Sequence, residues 1–503
     1  MSHKVNIGWA AADITPEQTV NLRGQFYARV SEGVRDPITA TALALESPGS
    51  GAEPVRVVWV SCDLVGIQDS LRDGVRRRVA ERQPELAGAA IVLHATHTHT
   101  GPTLAGAGGA RLKSHAGAWR SQAPTLAGSG MPLDLGVELP VADPQDYTDF
   151  AIGRIAEAVV EAWTRRQPGS IAYGLGHAVV GHNRRLCYEG GESRMYGRAD
   201  DPAFRHVEGY EDHSLNVMAT WDDAGALTGL IVNVACPSQV SEHEFKISAD
   251  YWHDTRLALR ERFGKNLFVL PQCAAAGDQS PHWLVGKAAE ERMLALAGIE
   301  RRADIARRIA DGVAAMLPVL EKERLTNPKL ACASRMAELT RNQVSEEAVA
   351  EAQKEAEAWR EKYDAMKSEL DAQPEKREEP HWYKDITMAF RRMKWYENVS
   401  ARSEQAREQP RLPVELHVVR LDDWVWATNP FELYLDYGMQ IRAGSPAAQT
   451  VTVQLAGAGT YLPSERSTRG GGYGSVPASN PIGPEGGREL VEHTLEMIRS
   501  LWA

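Results

Sequence analysis

The sequence is short of cysteine, of net positive charge and of long apolar runs, and each shortage closes off a class of protein. Five cysteines, Cys62, Cys187, Cys236, Cys273 and Cys332, are odd in number and widely spaced, which fits reduced thiols better than a disulfide framework. One of them is a candidate metal ligand. Lys and Arg number 56 against 67 Asp and Glu, leaving a net charge of -11, so no broad attraction to nucleic acid or to an anionic membrane surface is expected. A small-molecule or uncharged substrate is easier to accommodate. Residues 1–11 hold no basic segment followed by an apolar run, and no stretch approaches membrane-spanning length, so neither a leader nor a membrane anchor is expected. These absences place the chain in the cytoplasm.

What is present suits a large folded protein: 503 residues, 43% hydrophobic and 24% charged, enough for a substantial core. Apolar runs of strand type, Val55–Val60, Ala90–Leu93, Leu230–Val234 and Leu267–Leu270, alternate with helical patterns such as 149–166, where Ile152, Ile155, Val159 and Trp163 share a face. The fold class is therefore α/β, a large mixed sheet flanked by helices. A Gly-, Ala-, Ser- and Pro-rich stretch from Thr103 to Asp143 reads as a long loop over the site that precedes it.

From about Met336 the texture changes. Ala352, Ala356, Trp359, Tyr363, Met366 and Leu370 recur at steps of four and three among Glu, Lys and Arg, which specifies a helix with a narrow apolar seam, and Ser345 is placed to cap it. Ile386, Phe390 and Met393 mark a second helix that pairs back. The reading is a helical hairpin over 336–411 inserted into one catalytic domain, whose first part is 1–335 and whose completion is 412–503 with a C-terminal helix. A solvated structural elaboration is the slightly favoured role. The functional roles are a lid or a dimerisation arm, the latter giving a homo-oligomer. No internal repeat of solenoid or propeller period is visible.

Five polar clusters each follow an apolar strand, where open α/β sheets bind ligands. Ile91-Val92-Leu93 runs into His94-Ala95-Thr96-His97-Thr98-His99-Thr100-Gly101-Pro102; a strand end would place His97 and His99 on one side at period two, and imidazole is a common zinc ligand. Leu267–Leu270 leads to Gly277-Asp278-Gln279-Ser280-Pro281, where Ser280 is a nucleophile or hydrogen-bond donor and Asp278 positions it or serves the fold. Leu230–Val234 leads to Cys236-Pro237, Glu242, His243, Asp250 and His253. Trp424–Ala427 leads to Asn429-Pro430-Phe431-Glu432, and Val451–Leu455 to Gly457-Ala458-Gly459-Thr460-Tyr461. Any one of these fits a plain turn. Together they fit one crevice.

In this order the motifs resemble the neutral ceramidase superfamily. Gly8 to Asp13-Ile14-Thr15 is similar to the family's opening, Thr96-His97-Thr98-His99-Thr100-Gly101-Pro102 to its Thr-His-Thr-His-Ser-Gly-Pro, and Gly277-Asp278-Gln279-Ser280-Pro281 to its Gly-Asp-Val-Ser-Pro. The resemblance implies a catalytic zinc held by two histidines, a glutamate and a tyrosine: His97, Glu432 and Tyr461 match three of them. His99 and Arg184 match residues that contact the substrate or its carbonyl, and Ser280 the serine beside the scissile bond. Where the family has its second histidine, before a proline, this sequence has Cys236. Cys236 ligates as thiolate, or His243 or Glu242 takes its place, or the metal site is altered. The family's secreted members also carry a C-terminal β-domain absent from this sequence, which argues against ceramide itself.

The functional expectation is a zinc-dependent, amidase-like hydrolase cleaving an amide or ester of a small-molecule or oligosaccharide substrate through a metal-activated water. A glycosidase or polysaccharide lyase on the same scaffold is the rival, suggested by thirteen Trp, and a non-catalytic binding protein is the third reading.

Overall fold

The computed structural model describes residues 4–47, 54–106 and 134–502. Strands β1 (Asn6–Asp13), β2 (Thr39–Ser47) and β3 (Val55–Cys62), helix α1 (Asp69–Arg82), strand β4 (Ala90–Ala95) and helix α2 (Pro144–Thr164) make a first unit. The same order returns in β5 (Gln167–His177), β6 (Ser214–Asp222), β7 (Leu227–Val234), α3 (Tyr251–Phe263), β8 (Phe268–Cys273) and α4 (Arg301–Leu320). It returns again from β9 (Leu330–Thr340), with helices α5 (Glu346–Ala372) and α6 (Tyr383–Glu408) inserted before β10 (Arg411–Leu421). Strand β11 (Trp424–Thr428), α7 (Leu435–Gly444), β12 (Gln449–Val453) and α8 (Pro484–Ser500) complete it.

In every unit the first three strands are antiparallel and the fourth lies parallel to the third, the helix between them supplying the crossover that a parallel pair requires. The sequence showed no such repetition. The first two units form one eight-stranded sheet, β8-β7-β6-β5-β1-β2-β3-β4, and the third a four-stranded sheet, β9-β10-β11-β12. The eight strands are two halves joined narrowly, since β1 and β5 pair only through Asn6 with Pro168 and Ile7 with Gln167.

The large mixed sheet flanked by helices is thus present, and one face of it does something further. Side chains from all three units fill one buried core, among them Trp9, Leu45, Trp59, Ile171, Met218, Ile231, Leu270, Leu421, Trp424, Trp426 and Val453. Trp59 and Trp426 meet across it with ring centroids 5.1 Å apart. The helices close the outer faces, α1 and α2 over the first unit, α3 and α4 over the second, α7 and α8 over the third. Strands covered on both faces read as unbroken apolar runs, which is why Val55–Val60 and Leu230–Val234 stand out in the sequence.

The hairpin sits between β9 and β10, which pair over their whole lengths. Strand β9 runs through the boundary expected at 336 and ends at Thr340, so the inserted helices begin at Glu346. Ser345 caps α5 by accepting from the Ala348 N–H at 3.2 Å. The expected seam is buried at Ala352, Ala356, Tyr363 and Leu370, and α6 sets Ile386, Phe390 and Met393 against it. Of the loop expected from Thr103 to Asp143, residues 107–133 lie outside the described residues; Val137 packs on Phe390 and Leu139 on Tyr383. No helix among the described residues is long and apolar enough to cross a membrane.

One consequence positions the site. Within each unit the second strand runs opposite to the other three, so the connections after the first, third and fourth strands emerge at one end, and bonds from the His99 N–H to the Ser238 carbonyl at 3.1 Å and from the Gln454 N–H to the Cys273 carbonyl at 3.0 Å bring these ends of the three units together. Every polar cluster singled out in the sequence lies in such a connection, and so do the loop 178–213, which carries Arg184, and the inserted hairpin.

Candidate active site

His97 stands two residues beyond the end of β4 with φ of 63°, a left-handed conformation rare for a side-chain-bearing residue. The strand stops at Ala95, so the two imidazoles are not aligned by strand alternation, as the spacing suggested. The turn at His97 brings them together edge to face, centroids 4.9 Å apart. His97 Nδ1 lies against the Val65 carbonyl and must donate to it, because a carbonyl oxygen only accepts. With Nδ1 committed, Nε2 is the ring's remaining nitrogen and faces Glu432 Oε2 at 3.3 Å. Both Glu432 oxygens are buried, and neither has an aligned hydrogen-bond donor.

The Tyr461 phenol lies against the same carboxylate and is held protonated by burial and by the charge of Glu432. Burial opposes ionisation of Glu432, yet His97 and Arg184 hold its carboxyl below the usual range. An imidazole nitrogen and a carboxylate oxygen 3.3 Å apart share a cation, which is a proton in an ion pair or a metal ion bound by both. His97, Glu432 and Tyr461 therefore fit a metal with one nitrogen and two oxygen donors, an open number for a catalytic zinc, and the Nδ1–H to a carbonyl is the usual support for such a histidine. Among the described residues no three His, Cys, Asp or Glu side chains converge in this way, so the phenol would have to be the third donor.

Cys236 is not brought to this group. It is fully buried in the core between β7, α3 and α4, and its Sγ faces the carbonyls of Pro237 at 3.4 Å and Val180 at 3.7 Å. Burial and the neighbouring Cys273 push its thiol far up, and carbonyl partners suit the S–H form, not a thiolate. Nor does either alternative reach His97. Glu242 pairs with the other imidazole, Oε2 to His99 Nδ1 at 3.3 Å, and His243 is exposed, 3.9 Å from Glu242.

His99 is buried and its pKa is lowered to about 4, chiefly by that burial. Burial also opposes the charge on Glu242, but the bond to His99 and the nearby His282 and His243 hold it down at about 2. The ring is thus a neutral imidazole oriented by a carboxylate. Arg29 braces the pair from behind, donating to the carbonyl of His99 and, at 2.6 Å, to that of Glu242.

Arg184 reaches the same space from the second unit. Its Nη2 donates to the Gly277 carbonyl at 2.8 Å and lies 3.5 Å from the Tyr461 hydroxyl, while Nη1 meets Tyr196 Oη at 3.1 Å and Gln239 Oε1 at 3.3 Å. Ser280 is fully buried, and three donors converge on its Oγ, Tyr196 Oη at 3.3 Å, Gln239 Nε2 at 3.4 Å and the His282 N–H at 3.2 Å, one more than its two lone pairs can accept at once. None of these is a base. With its acceptor capacity used, the hydroxyl has its own proton to give, which suits the donor reading of Ser280 and not the nucleophile reading.

Asp278 serves the fold by tying loops together. It accepts from Asn183 Nδ2 and from the Leu435 N–H, both at 3.1 Å, and its carbonyl accepts from the Arg184 N–H at 2.9 Å. Gly277 beside it has no room for a side chain, since a Cβ would come within 2.3 Å of the Glu432 carbonyl. The loops of Arg184, Ser280 and Glu432 are locked in register by these contacts.

Sequence reasoning missed Tyr196, Gln239 and Tyr473, along with the roles of Arg29 and Glu242. Tyr473 stacks edge-on against Tyr461 at 5.4 Å and is backed by Trp395 of α6 at 5.8 Å. The hairpin is therefore a wall of the site. Tyr196 and Tyr473 lie outside the five strand-end clusters, and Gln239, although it follows β7 within one of them, is an amide with no ligand or acid–base signal of its own.

Neither a family model nor a curated protein matches the chain. Solved structures do. A ceramidase complexed with C2 superposes with a TM-score of 0.65 at 16% identity, over 99% of this chain and 75% of that one. The neutral ceramidase from Pseudomonas aeruginosa superposes with a TM-score of 0.65 at 17% identity, over 100% of this chain and 75% of that one. The protein has the neutral-ceramidase fold from end to end, as the motifs implied.

Proposed function

We propose that this chain is a metal-dependent hydrolase that cleaves an amide or ester bond, with zinc held by His97, Glu432 and Tyr461. The observation that carries the reading is the convergence of three donors in the interior: the buried Glu432 carboxylate, which lacks an aligned hydrogen bond, the remaining ring nitrogen of His97 at 3.3 Å from it, and the Tyr461 phenol beside it. A zinc ion there would polarise the scissile carbonyl and lower the pKa of a water toward neutrality. The chain's own residues supply the rest. Neutral His99, fixed by Glu242, offers one ring nitrogen to the substrate. Arg184 and the Ser280 hydroxyl, aimed by Tyr196 and Gln239, donate to the oxygen on which charge develops.

The carbohydrate rival loses most of its compositional support, because seven of the thirteen tryptophans, Trp59, Trp163, Trp221, Trp252, Trp395, Trp424 and Trp426, are fully buried in the interior. The test is metal analysis of protein purified without added zinc, with turnover on panels of acyl amides, esters and glycans. Zinc at one per chain and amide or ester turnover, both lost in His97→Ala and Glu432→Ala, is the expected result. Full activity in both variants would overturn the reading.

A further inference from the structure

A second cavity, of about 550 Å³, lies behind the site. Its walls come from α6, from the paired ends of β9 and β10, and from Pro430-Phe431 and Gly457–Thr460, the segments that lead into Glu432 and Tyr461. Neither of those two residues, nor His97, lines it. The volume falls in the range of small-molecule sites.

Its chemistry is one-sided. Arg341 and Arg402 are each 7% exposed, and among the described residues neither has a carboxylate within ion-pair distance. Three buried donor atoms of these lining residues have no acceptor among the described residues: Arg341 Nε, Asn398 Nδ2 and Arg402 Nη2. Arg402 Nη1 alone is satisfied, by the Pro477 carbonyl at 2.6 Å. The two guanidiniums repel one another, and burial with that repulsion brings Arg402 down to about 9. The acids on the opposite wall cannot relieve them. Asp69 is taken by Arg72 at 2.8 Å, and Glu415 by Arg76 and His417, both at 2.7 Å. Buried donors left unmade are costly, and buried cations without partners more so. An arrangement of two guanidiniums and an amide N–H2 group is complementary to an oxyanion.

We propose that this cavity binds a small molecule carrying a phosphate or sulfate group, held by Arg341, Asn398 and Arg402. Its occupant would rest on the backbone of the Gly457–Thr460 segment and so on the strand that delivers Tyr461. The site is independent of the hydrolase reading, because none of its donors belongs to the metal or carbonyl machinery.

Titration calorimetry of the full chain with inorganic phosphate and with inorganic sulfate, at ionic strength fixed by sodium chloride, tests it. One saturable site is expected, and the tighter of the two anions identifies the preferred group. Arg402→Gln and Arg341→Gln should each weaken binding at least tenfold. Asn398→Asp should abolish binding and raise the melting temperature, because the new carboxylate then occupies the place of the ligand. His97→Ala should bind phosphate as the parent does. No saturable binding of either anion, binding unchanged in all three cavity variants, or binding lost in His97→Ala would each overturn the proposal. Should an arginine variant fail to fold, the paired change in Asn398→Asp still decides.

Discussion

Cys236→Ala separates the structure's placement of this residue from the ligand role that the motif frame assigned to it. The Sγ is fully buried among apolar side chains, with backbone carbonyls at 3.4 and 3.7 Å and the Tyr251 hydroxyl beside it. Removing a group of about one methylene's size costs about 0.8 kcal/mol in transfer, and a residual void of roughly 20 Å³ adds about 0.5 kcal/mol at about 24 cal/mol per Å³. The variant should be less stable by about 1–1.5 kcal/mol, the same with metal and without. Its zinc content after dialysis at fixed free zinc should match the parent's. The assay is urea unfolding in zinc and in chelator, with elemental analysis of the dialysed protein and His97→Ala as the control that loses metal. A folded Cys236→Ala protein that gives up its zinc, or one destabilised only when zinc is present, would refute the placement of this thiol outside the metal group.

Three further outcomes follow from the geometry. With a cleaved substrate in hand, Ser280→Ala should lower kcat by about 10²-fold, the loss of one hydrogen-bond donor; no detectable turnover, with a burst of acylation in the parent, would mean that Ser280 is a nucleophile after all. Asp278→Ala leaves the Leu435 N–H and Asn183 amide unpaired in the interior and should cost about 2–3 kcal/mol in urea unfolding, with Asp278→Asn recovering part of it. Glu415 is half-buried, so burial opposes its charge, but His417, Arg76 and Arg72 lower its pKa from 4.5 to about 2. Its pKa is depressed by folding, so its contribution, about 1–2 kcal/mol after solvent screening, is present above about pH 5 and fades as pH falls toward 2. Thermal melts of Glu415→Gln and parent should therefore converge in acid and separate near neutrality.

How much of this was legible in the sequence depended on the physical signal each part leaves. Strands covered on both faces left apolar runs, and Val55–Val60 and Leu230–Val234 were readable for that reason. The hairpin left a heptad-like seam and the Ser345 cap. The threefold recurrence of strand, strand, strand, helix, strand, helix left nothing. A buried strand needs only to be apolar, so Val55-Arg56-Val57-Val58-Trp59-Val60 and Trp424-Val425-Trp426-Ala427-Thr428 can hold equivalent places without sharing a pattern, and the connections between them differ too much in length to set a period.

The site divided along the same line. His97, Ser280, Glu432 and Tyr461 follow strands and carry motif spacing, so they could be named, although nothing in their spacing required a left-handed turn at His97. Tyr196 and Tyr473 come from long connections, where position is set by tertiary contacts such as the bond from Tyr196 to Ser280, and Gln239 sits in a readable cluster but as an amide carried no chemical signal. Cys236 shows the limit of motif frames. A frame gives the order of residues along a chain, whereas ligation depends on which way one Cβ–Sγ bond points.

The single polarity of the three units also has a practical side. Strand pairs turn tightly at the far end, through residues 223–226 between β6 and β7 and through Asp422 and Asp423 between β10 and β11, and Gly225 there has a positive φ of 85°. A reporter dye or a surface tether attached in the 223–226 turn would sit at the pole remote from the metal donors, with the length of β7 between label and chemistry. Immobilised in that way, the protein would present its reactive end outward.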